Sequence, residues 1–274
     1  MNHVPASPDQ VIAANFLASY TWFQRHNPAC TVRAVGSMVC AHASGSLTDF
    51  NVALPDAERP LPDPFSESFR RNCAAVRDFF AQQRVPFSCW IPGRPEAPVA
   101  ADLGFSGRLV YTGQYLELRN ARFAPTAGLT VRRVASLEDL EAFADLIAIG
   151  WSMPPEAYRA FFSAQAACLL TPGAAKQFFL GLAGGRPACC MELFGQAGAK
   201  VAGIYYVTTH PDFRRQGFAA ALQSQVLRLA LSQGRETAVV VSEPDECRLL
   251  GRLGFVDCSP WFEYIQAPDF AGGV

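Results

Sequence analysis

The sequence predicts a mixed α/β fold of two similar domains, each a mixed, mostly antiparallel sheet flanked by helices. The chain has 274 residues, and about 150 residues per domain gives roughly two domains. Strands and helices of the second half follow the order β-α-α-β-β-β-α-β-α-β, which is typical of mixed α/β layers. A strand, a loop, a short helix and Leu-Gly-Phe occur in both halves, ending at residues 103–105 and 253–255. We therefore interpret the halves as two copies of one fold.

Composition limits the partners and the compartment that we expect. Hydrophobic residues make up 50% of the chain and charged residues 17%, with a formal net charge of −1. This balance gives no reason to expect nucleic acid or an anionic membrane as a partner. Nine cysteines, an odd number without a CxxC pair, indicate free thiols in a reducing compartment. We predict a cytoplasmic protein, and the scarcity of lysine indicates a GC-rich bacterial genome.

Three further features bear on metals and membranes. No histidine follows the cysteines at zinc-site spacing, so we expect no metal. The N-terminus lacks a basic segment followed by an apolar one, so we expect no secretory signal. The longest uncharged stretch, residues 160–175, is shorter than the roughly 20 apolar residues that a membrane span needs.

The sequence of the first half predicts two long helices, one short helix before residues 103–105, and five strands. Apolar residues near helical spacing indicate the first helix, and short β-rich runs follow it. A loop containing Pro60 and Pro62 then leads to Ser66, which is placed to cap the second helix. The predicted elements are residues 8–24, 31–35, 38–43, 49–54, 66–83, 86–91 and a last strand ending near residue 118.

A break in the pattern separates the two halves. Residues 121–128 fit neither helix nor strand, so we predict one domain over residues 1–124 and a second over residues 125–274. In the second domain, Ser136 with Asp139 resembles a capping box that opens a helix. The elements predicted there are residues 129–134, 136–149, 155–167, 176–183, 187–194 and 200–208, then helix, strand, helix and strand.

The segment after the strand at 200–208 is typical of an anion site. A turn leads through Arg214 and Arg215 into a helix, whose first N–H groups lack intrahelical partners and lie at the positive end of the helix dipole. Such groups bind phosphate, and guanidinium groups add suitable donors. Gly217 lets a ligand approach the backbone, and Ala219 keeps the next turn small. The alternative is an ordinary charged turn before a surface helix.

This segment resembles the signature of the GNAT superfamily of N-acetyltransferases. The signature, Gln/Arg-x-x-Gly-x-Gly/Ala after a strand, is matched by Arg214, Gly217 and Ala219. Residues 237–241 and 253–255 resemble the family's second cofactor segment. The resemblance implies acetyl-CoA as co-substrate, with its pyrophosphate on the helix start and its pantetheine arm along the strand edge. It implies these cofactor-binding residues: Val207, Thr208, Thr209, Arg214, Arg215, Gln216, Gly217, Phe218, Ala219 and Ser242.

The first half is similar to a degenerate copy of this fold. Where the phosphate turn would lead into a helix, residues 66–73 read Ser-Glu-Ser-Phe-Arg-Arg-Asn-Cys, without a glycine. A side chain at every position keeps a pyrophosphate from the backbone. We therefore predict one cofactor site per chain, in the second half.

The usual catalytic residues of the family are replaced in this sequence. Many members have a tyrosine general acid where this chain has Leu250, and some have a glutamate where it has Val201. Neither residue can transfer a proton, so the resemblance leaves the acid and the base unassigned.

Strand alternation offers substitutes for the missing acid and base. If residues 197–198 form a hairpin turn, Glu192 lies opposite Gly203 and beside Tyr205 on one face. We predict Glu192 and Tyr205 as the catalytic residues, because a carboxylate and a phenol then meet beside the thioester. The alternative is a solvent-facing glutamate and a tyrosine that only packs.

Two functions fit these observations. The first is an acyl-CoA-dependent N-acyltransferase that moves acetyl from acetyl-CoA to a primary amine of a small molecule or peptide. The second is a catalytically weak acyl-CoA-binding sensor or interaction protein, in which the lost acid and base prevent turnover. Either is compatible with a homodimer.

Overall fold

A computed structural model describes residues 7–266 except 44, 46, 57, 58, 60, 62, 94–97 and 127, so Pro60 and Pro62 of the predicted loop lie outside the described residues. The helices are α1 (Pro8–Tyr20), α2 (Trp22–His26), α3 (Glu67–Gln83), α4 (Leu137–Trp151), α5 (Pro155–Ala164), α6 (Ala166–Leu169), α7 (Phe218–Ser232) and α8 (Pro244–Leu253). The strands are β1 (Thr31–Val35), β2 (Met38–His42), β3 (Asn51–Pro55), β4 (Phe87–Pro92), β5 (Gly107–Glu117), β6 (Thr130–Arg133), β7 (Lys176–Ala183), β8 (Arg186–Phe194), β9 (Val201–Thr209), β10 (Thr237–Ser242) and β11 (Val256–Gln266).

The described chain divides into two compact units that are discontinuous in sequence. Unit 1 contains residues 7–113, 241–244 and 258–266, and unit 2 contains residues 114–240 and 245–257. This differs from the two continuous domains that we predicted, residues 1–124 and 125–274. The reason is the end of the chain: β11 pairs antiparallel with β4, with Trp261 opposite Pro92 and Glu263 opposite Trp90. This pairing adds the last strand to unit 1.

Unit 1 contains a mixed sheet in the order β1-β2-β3-β4-β11. Only β3 and β4 are parallel in this series; the other neighbours are antiparallel. Helix α3 buries one face against the core, because apolar residues recur along it at helical spacing; the buried ones are Phe69, Cys73, Val76, Phe79 and Phe80. The predicted cap is confirmed, since the Ser66 hydroxyl accepts from the Phe69 N–H at 3.1 Å.

Unit 2 has a similar sheet in the order β10-β9-β8-β7-β6, with only β9 and β10 parallel. Helices cover both faces. Phe178 of β7 stacks on Phe143 of α4 with ring centroids 4.1 Å apart, whereas the next residue, Phe179, packs in the core with α7. The Ser136 hydroxyl caps α4 by accepting from the Asp139 N–H at 3.1 Å. The predicted fold class, mixed and mostly antiparallel sheets flanked by helices, is therefore confirmed.

Candidate functional site

The connection between β9 and α7 is a short, tightly bonded turn. Residues Pro211–Phe213 form one 3-10 turn, which the His210 ring caps by accepting from the Asp212 N–H at 3.2 Å. Arg215 and Gly217 follow with φ of +65° and +81°, in the left-handed region. A Cβ added at Gly217 would meet no atom within 4 Å. The backbone conformation therefore favours glycine, and the space beside it is open to a ligand.

The first turn of α7 presents backbone donors at this opening. The helix starts at Phe218 with Gly217 as its N-cap, and in the described part of the chain no side chain caps it. The N–H groups of Phe218, Ala219 and Ala220 have no intrahelical acceptor, because a helix leaves its first donors unpaired. They lie at the positive end of the helix dipole, which favours an anion such as phosphate.

One side chain of the turn bonds to the end of β9, and another bonds within the turn. Arg214 donates from Nε to the carbonyl of Thr209 at 3.2 Å, and Gln216 donates from Nε2 to the carbonyl of Asp212 at 3.2 Å. Arg215 is exposed and adds a second guanidinium beside the helix start. The residues predicted to hold the pyrophosphate, 214–219, thus share one positively charged corner of unit 2.

Strands β9 and β10 pair over only a short length. Their ladder runs from Val201 opposite Thr237 to Gly203 opposite Val239, so residues 204–209 of β9 extend past the described ladder. A strand edge without a neighbouring strand presents N–H and C=O groups that pair with an extended amide chain. Val207, Thr208 and Thr209, the residues predicted to bind pantetheine, lie on this part of β9.

A β-bulge interrupts the pairing of β9 with β8. Two residues of β9, Tyr206 and Val207, lie opposite the single residue Met191 of β8. Tyr206 has φ of +52°, and its carbonyl accepts from the buried Cys190 thiol at 3.7 Å. A bulge bends its strand and redirects the neighbouring backbone groups, and bulges are common beside active sites.

Thr208 is enclosed by helix α4. Its side chain is buried, and a Cβ added at Gly150 would lie 2.3 Å from the Thr208 methyl carbon. Gly150 therefore permits close contact between α4 and β9. Because packing occupies the side chain of Thr208, only its backbone is available to a ligand.

Glu192 lies opposite Tyr205, and both residues are buried. We predicted Gly203 as the partner of Glu192, but Gly203 pairs with Phe194. The turn is at residues 197–198 as expected, with the Ala199 N–H donating to the Gln196 carbonyl, but two more residues on the β9 side than on the β8 side lie between this turn and the ladder. Arg235 donates to the carbonyls of Gly195, Gln196 and Ala199 in this loop. Because side chains alternate, a shift of two residues in the partner keeps Glu192 on the predicted face.

The carboxylate of Glu192 is paired with a buried lysine that the sequence reasoning missed. Lys176 Nζ lies 2.7 Å from each carboxylate oxygen, and the two side chains are 1% and 0% exposed. Burial lowers the pKa of Lys176, against the opposing effect of Glu192. The alternative of a solvent-facing Glu192 is therefore wrong. The available signal was that Lys176 begins an apolar strand in a chain that has only one other lysine, Lys200.

Aromatic rings surround this ion pair. The Lys176 ammonium lies 5.4 Å from the ring centroid of Phe194 and 5.7 Å from that of Tyr206, within the range of cation–π attraction. Tyr206 also meets Trp151 of α4 at 5.6 Å. The ion pair thus contacts the residue that forms the bulge, on the sheet face covered by α4.

The remaining predicted positions are distributed between the units. Ser242 ends β10, is buried and belongs to unit 1, so its place at the pantetheine arm stays a prediction. Leu250 is buried in the apolar core of unit 2.

Among the described residues, no group of three or more His, Cys, Asp or Glu side chains is arranged to hold a metal ion. No helix in the described ranges has the length and apolarity to cross a membrane.

Comparison with known proteins identifies the family of the segment that contains the turn. Residues 140–255 match the family described as Acetyltransferase (GNAT). This match includes α4 from residue 140 onward, the strands β7 to β10 and the turn at Gly217. No curated relative matches the chain significantly.

Solved structures resemble the chain over its full length. A GCN5-related N-acetyltransferase from Kribbella flavida has a TM-score of 0.67 at 18% identity and covers 96% of each chain. A tandem GNAT protein from the clavulanic acid biosynthesis pathway has a TM-score of 0.61 at 15% identity, covering 97% of this chain and 94% of its own. A GCN5-related N-acetyltransferase from Sphaerobacter thermophilus has a TM-score of 0.54 at 14% identity, covering 95% and 93%. At these identities the likeness shows a shared fold, and the match to the GNAT family concerns residues 140–255.

Proposed function

We propose that the chain transfers an acetyl group from acetyl-CoA to the primary amine of a small molecule or peptide. The observation that carries this proposal is the turn at Gly217, where open space meets the uncapped start of α7 beside two arginines. Phosphate esters bind at such helix starts. The composition supports a cytoplasmic setting, as we expect from the free thiols.

The residues of unit 2 fit a CoA ester along β9. Backbone N–H groups from Arg215 to Ala219 would hold the pyrophosphate, and Arg214 and Arg215 would supply charge. Backbone groups of residues 207–209 would pair with the pantetheine amides, because the ladder between β9 and β10 ends at Gly203. When bound, acetyl-CoA supplies an activated acyl group to an amine.

Tyr205 is our candidate for the acid. Acyl transfer requires a proton for the departing thiolate, and Tyr205 lies directly opposite Glu192, next to the bulge. The Glu192 carboxylate is bonded to Lys176 through both oxygens, so it does not act as an independent base. We propose instead that the Lys176–Glu192 pair positions Tyr205 and Tyr206.

Isothermal titration calorimetry with acetyl-CoA tests the proposed binding. We expect one site per chain, because the first half lacks a glycine at the corresponding turn. Addition of a panel of primary amines should then release CoA thiol and yield acetylated amine. Two equivalent sites per chain, or no heat of binding, would contradict this assignment.

Tyr205→Phe tests the proposed acid by removing only the hydroxyl. We expect kcat to fall about 10²–10⁴-fold, the usual range for acid–base catalysis, while the Kd of acetyl-CoA stays unchanged. The matched control is Tyr206→Phe, which removes the hydroxyl of the neighbouring tyrosine and should leave kcat within about threefold of wild type. Equal kcat values for Tyr205→Phe and wild type would show that Tyr205 only packs.

A second candidate function is an acyl-CoA sensor. The observation that favours it is the replacement of the family's usual tyrosine by Leu250, a buried core residue, together with Val201 at the glutamate position. A sensor would bind acetyl-CoA with one site per chain but release no CoA thiol with any amine. The amine panel therefore separates the two functions.

A further inference from the structure

An arginine from another part of unit 2 lies against the turn that leads to Gly217. Arg186 begins β8, and its guanidinium carbon is 5.3 Å from the ring centroid of Phe213, within the range of cation–π attraction. Phe213 is the last residue of the 3-10 turn. The sheet brings them together, because the His210 N–H donates to the carbonyl of Ala188 at 2.9 Å and so holds the first part of β8 beside the end of β9.

The ring of Phe213 is a fixed support for this guanidinium. It packs against the apolar core of unit 2, and its centroid lies 6.2 Å from that of Phe218, the first residue of α7. Ring contacts therefore connect Arg186 to the helix start where we place the pyrophosphate. A guanidinium that stacks through its planar face keeps the N–H donors at its edge available to an anion.

The charge of Arg186 has no acidic partner. No ion pair in the described part of the chain includes Arg186 or Arg215, and both residues are exposed. The acidic residue of the turn, Asp212, lies 3.8 Å from the ring nitrogen of His210. With Arg214, three arginines lie at this turn, and their positive potential favours a ligand that carries several phosphate groups.

The hairpin between β7 and β8 leaves the Arg186 side chain open to solvent. Gly184 and Gly185 form the turn of this hairpin and are exposed, as Arg186 is. A Cβ added at either glycine would meet no atom within 4 Å. A ligand can therefore reach the guanidinium from solvent without any rearrangement of the chain around it.

We propose that Arg186 binds the 3′-phosphate of CoA and makes the site selective for CoA over 3′-dephospho-CoA. This inference rests on the proposed function, since it requires the pyrophosphate to lie at the start of α7. In CoA the pyrophosphate and the 3′-phosphate are attached to the same ribose, so a pyrophosphate at residues 214–219 brings the 3′-phosphate close to the turn. Guanidinium groups bind phosphate through paired, charge-assisted hydrogen bonds.

The test compares CoA with 3′-dephospho-CoA, which lacks only that phosphate, by isothermal titration calorimetry on the full-length protein. We expect the wild type to bind CoA about tenfold more tightly than 3′-dephospho-CoA. The preference should decrease as the salt concentration rises, because exposed charges are screened by ions.

Arg186→Gln separates a phosphate contact from a structural role. We expect the Kd of CoA to rise about tenfold and that of 3′-dephospho-CoA to stay within about twofold of wild type. The matched control is Arg228→Gln, because Arg228 is also exposed and lies over a phenylalanine ring, 4.0 Å from the centroid of Phe123. It lies about 15 Å further along α7 than Phe218, so this variant should bind both ligands as wild type does.

Equal Kd values of CoA and 3′-dephospho-CoA for the wild type would overturn the proposal and leave the anion site at Gly217 standing. Equal losses of both ligands in Arg186→Gln would overturn it as well. If the wild type binds neither ligand, the proposed function itself fails and this inference fails with it. The wild-type comparison decides the question even if Arg186→Gln does not fold.

Discussion

Gly217→Glu is expected to abolish acetyl-CoA binding, raising Kd more than about 100-fold, or about 2.7 kcal/mol. The new side chain would occupy the open space beside the start of α7, where a Cβ meets no atom within 4 Å. Its carboxylate would also repel the pyrophosphate at the positive end of the helix dipole. Calorimetry on the folded variant measures the effect.

Gly198→Glu is the matched control for this substitution. Gly198 also has a left-handed conformation, φ +75°, and a Cβ there also meets nothing within 4 Å. It lies in the β8–β9 hairpin of the same unit, whose loop is bonded to Arg235 just beyond the C-terminal end of α7, at the opposite end of this helix from Gly217. Both variants therefore carry the same backbone strain and the same charge. Gly198→Glu should bind acetyl-CoA as wild type does, and equal losses in the two variants would mean that the turn is not the anion site.

Lys176→Met should destabilise the protein by about 3–5 kcal/mol, because it leaves the Glu192 carboxylate buried without its cation. Glu192→Leu should have a similar effect, since it leaves the ammonium unpaired. The double variant should regain most of the lost stability, because two apolar side chains of similar volume replace a fully buried pair. Denaturant unfolding of the four proteins measures these differences.

The activity of the double variant tests the positioning role. If the ion pair orients Tyr205, kcat should stay lowered about tenfold or more after stability is regained, with the Kd of acetyl-CoA near that of wild type. Full recovery of kcat would show that the pair contributes only to stability. A loss of stability confined to one single variant would contradict mutual pairing.

The sequence could predict the fold class and the turn that leads into α7 because both depend on local signals. Gly217, Arg214 and the strand before them lie within one short segment, and helix caps such as Ser66 and Ser136 act over three residues. These features follow from the preferences of residue types for helix ends and turns and from the spacing of residues within short segments, both of which the sequence shows directly.

Features that depend on long-range pairing could not be predicted in this way. The partner of β11 is β4, more than 150 residues away in sequence, so the discontinuous units gave no local signal. The ion pair of Lys176 and Glu192 joins neighbouring strands inside the core, where an isolated charge would be excluded. The predicted register at Glu192 was wrong because two extra residues on the β9 side lie between the turn at 197–198 and the ladder, and Arg235, outside the hairpin, bonds to this loop.

The most direct test of our account is a stoichiometric assay of acetyl transfer. The full-length protein is mixed with acetyl-CoA and primary amines, and both CoA thiol and acetylated amine are quantified by mass spectrometry. We predict that the two products form in equal amounts, and that Gly217→Glu forms neither whereas Gly198→Glu forms both. Saturable binding of acetyl-CoA without acetylation of any amine would contradict the proposed enzyme and support the sensor.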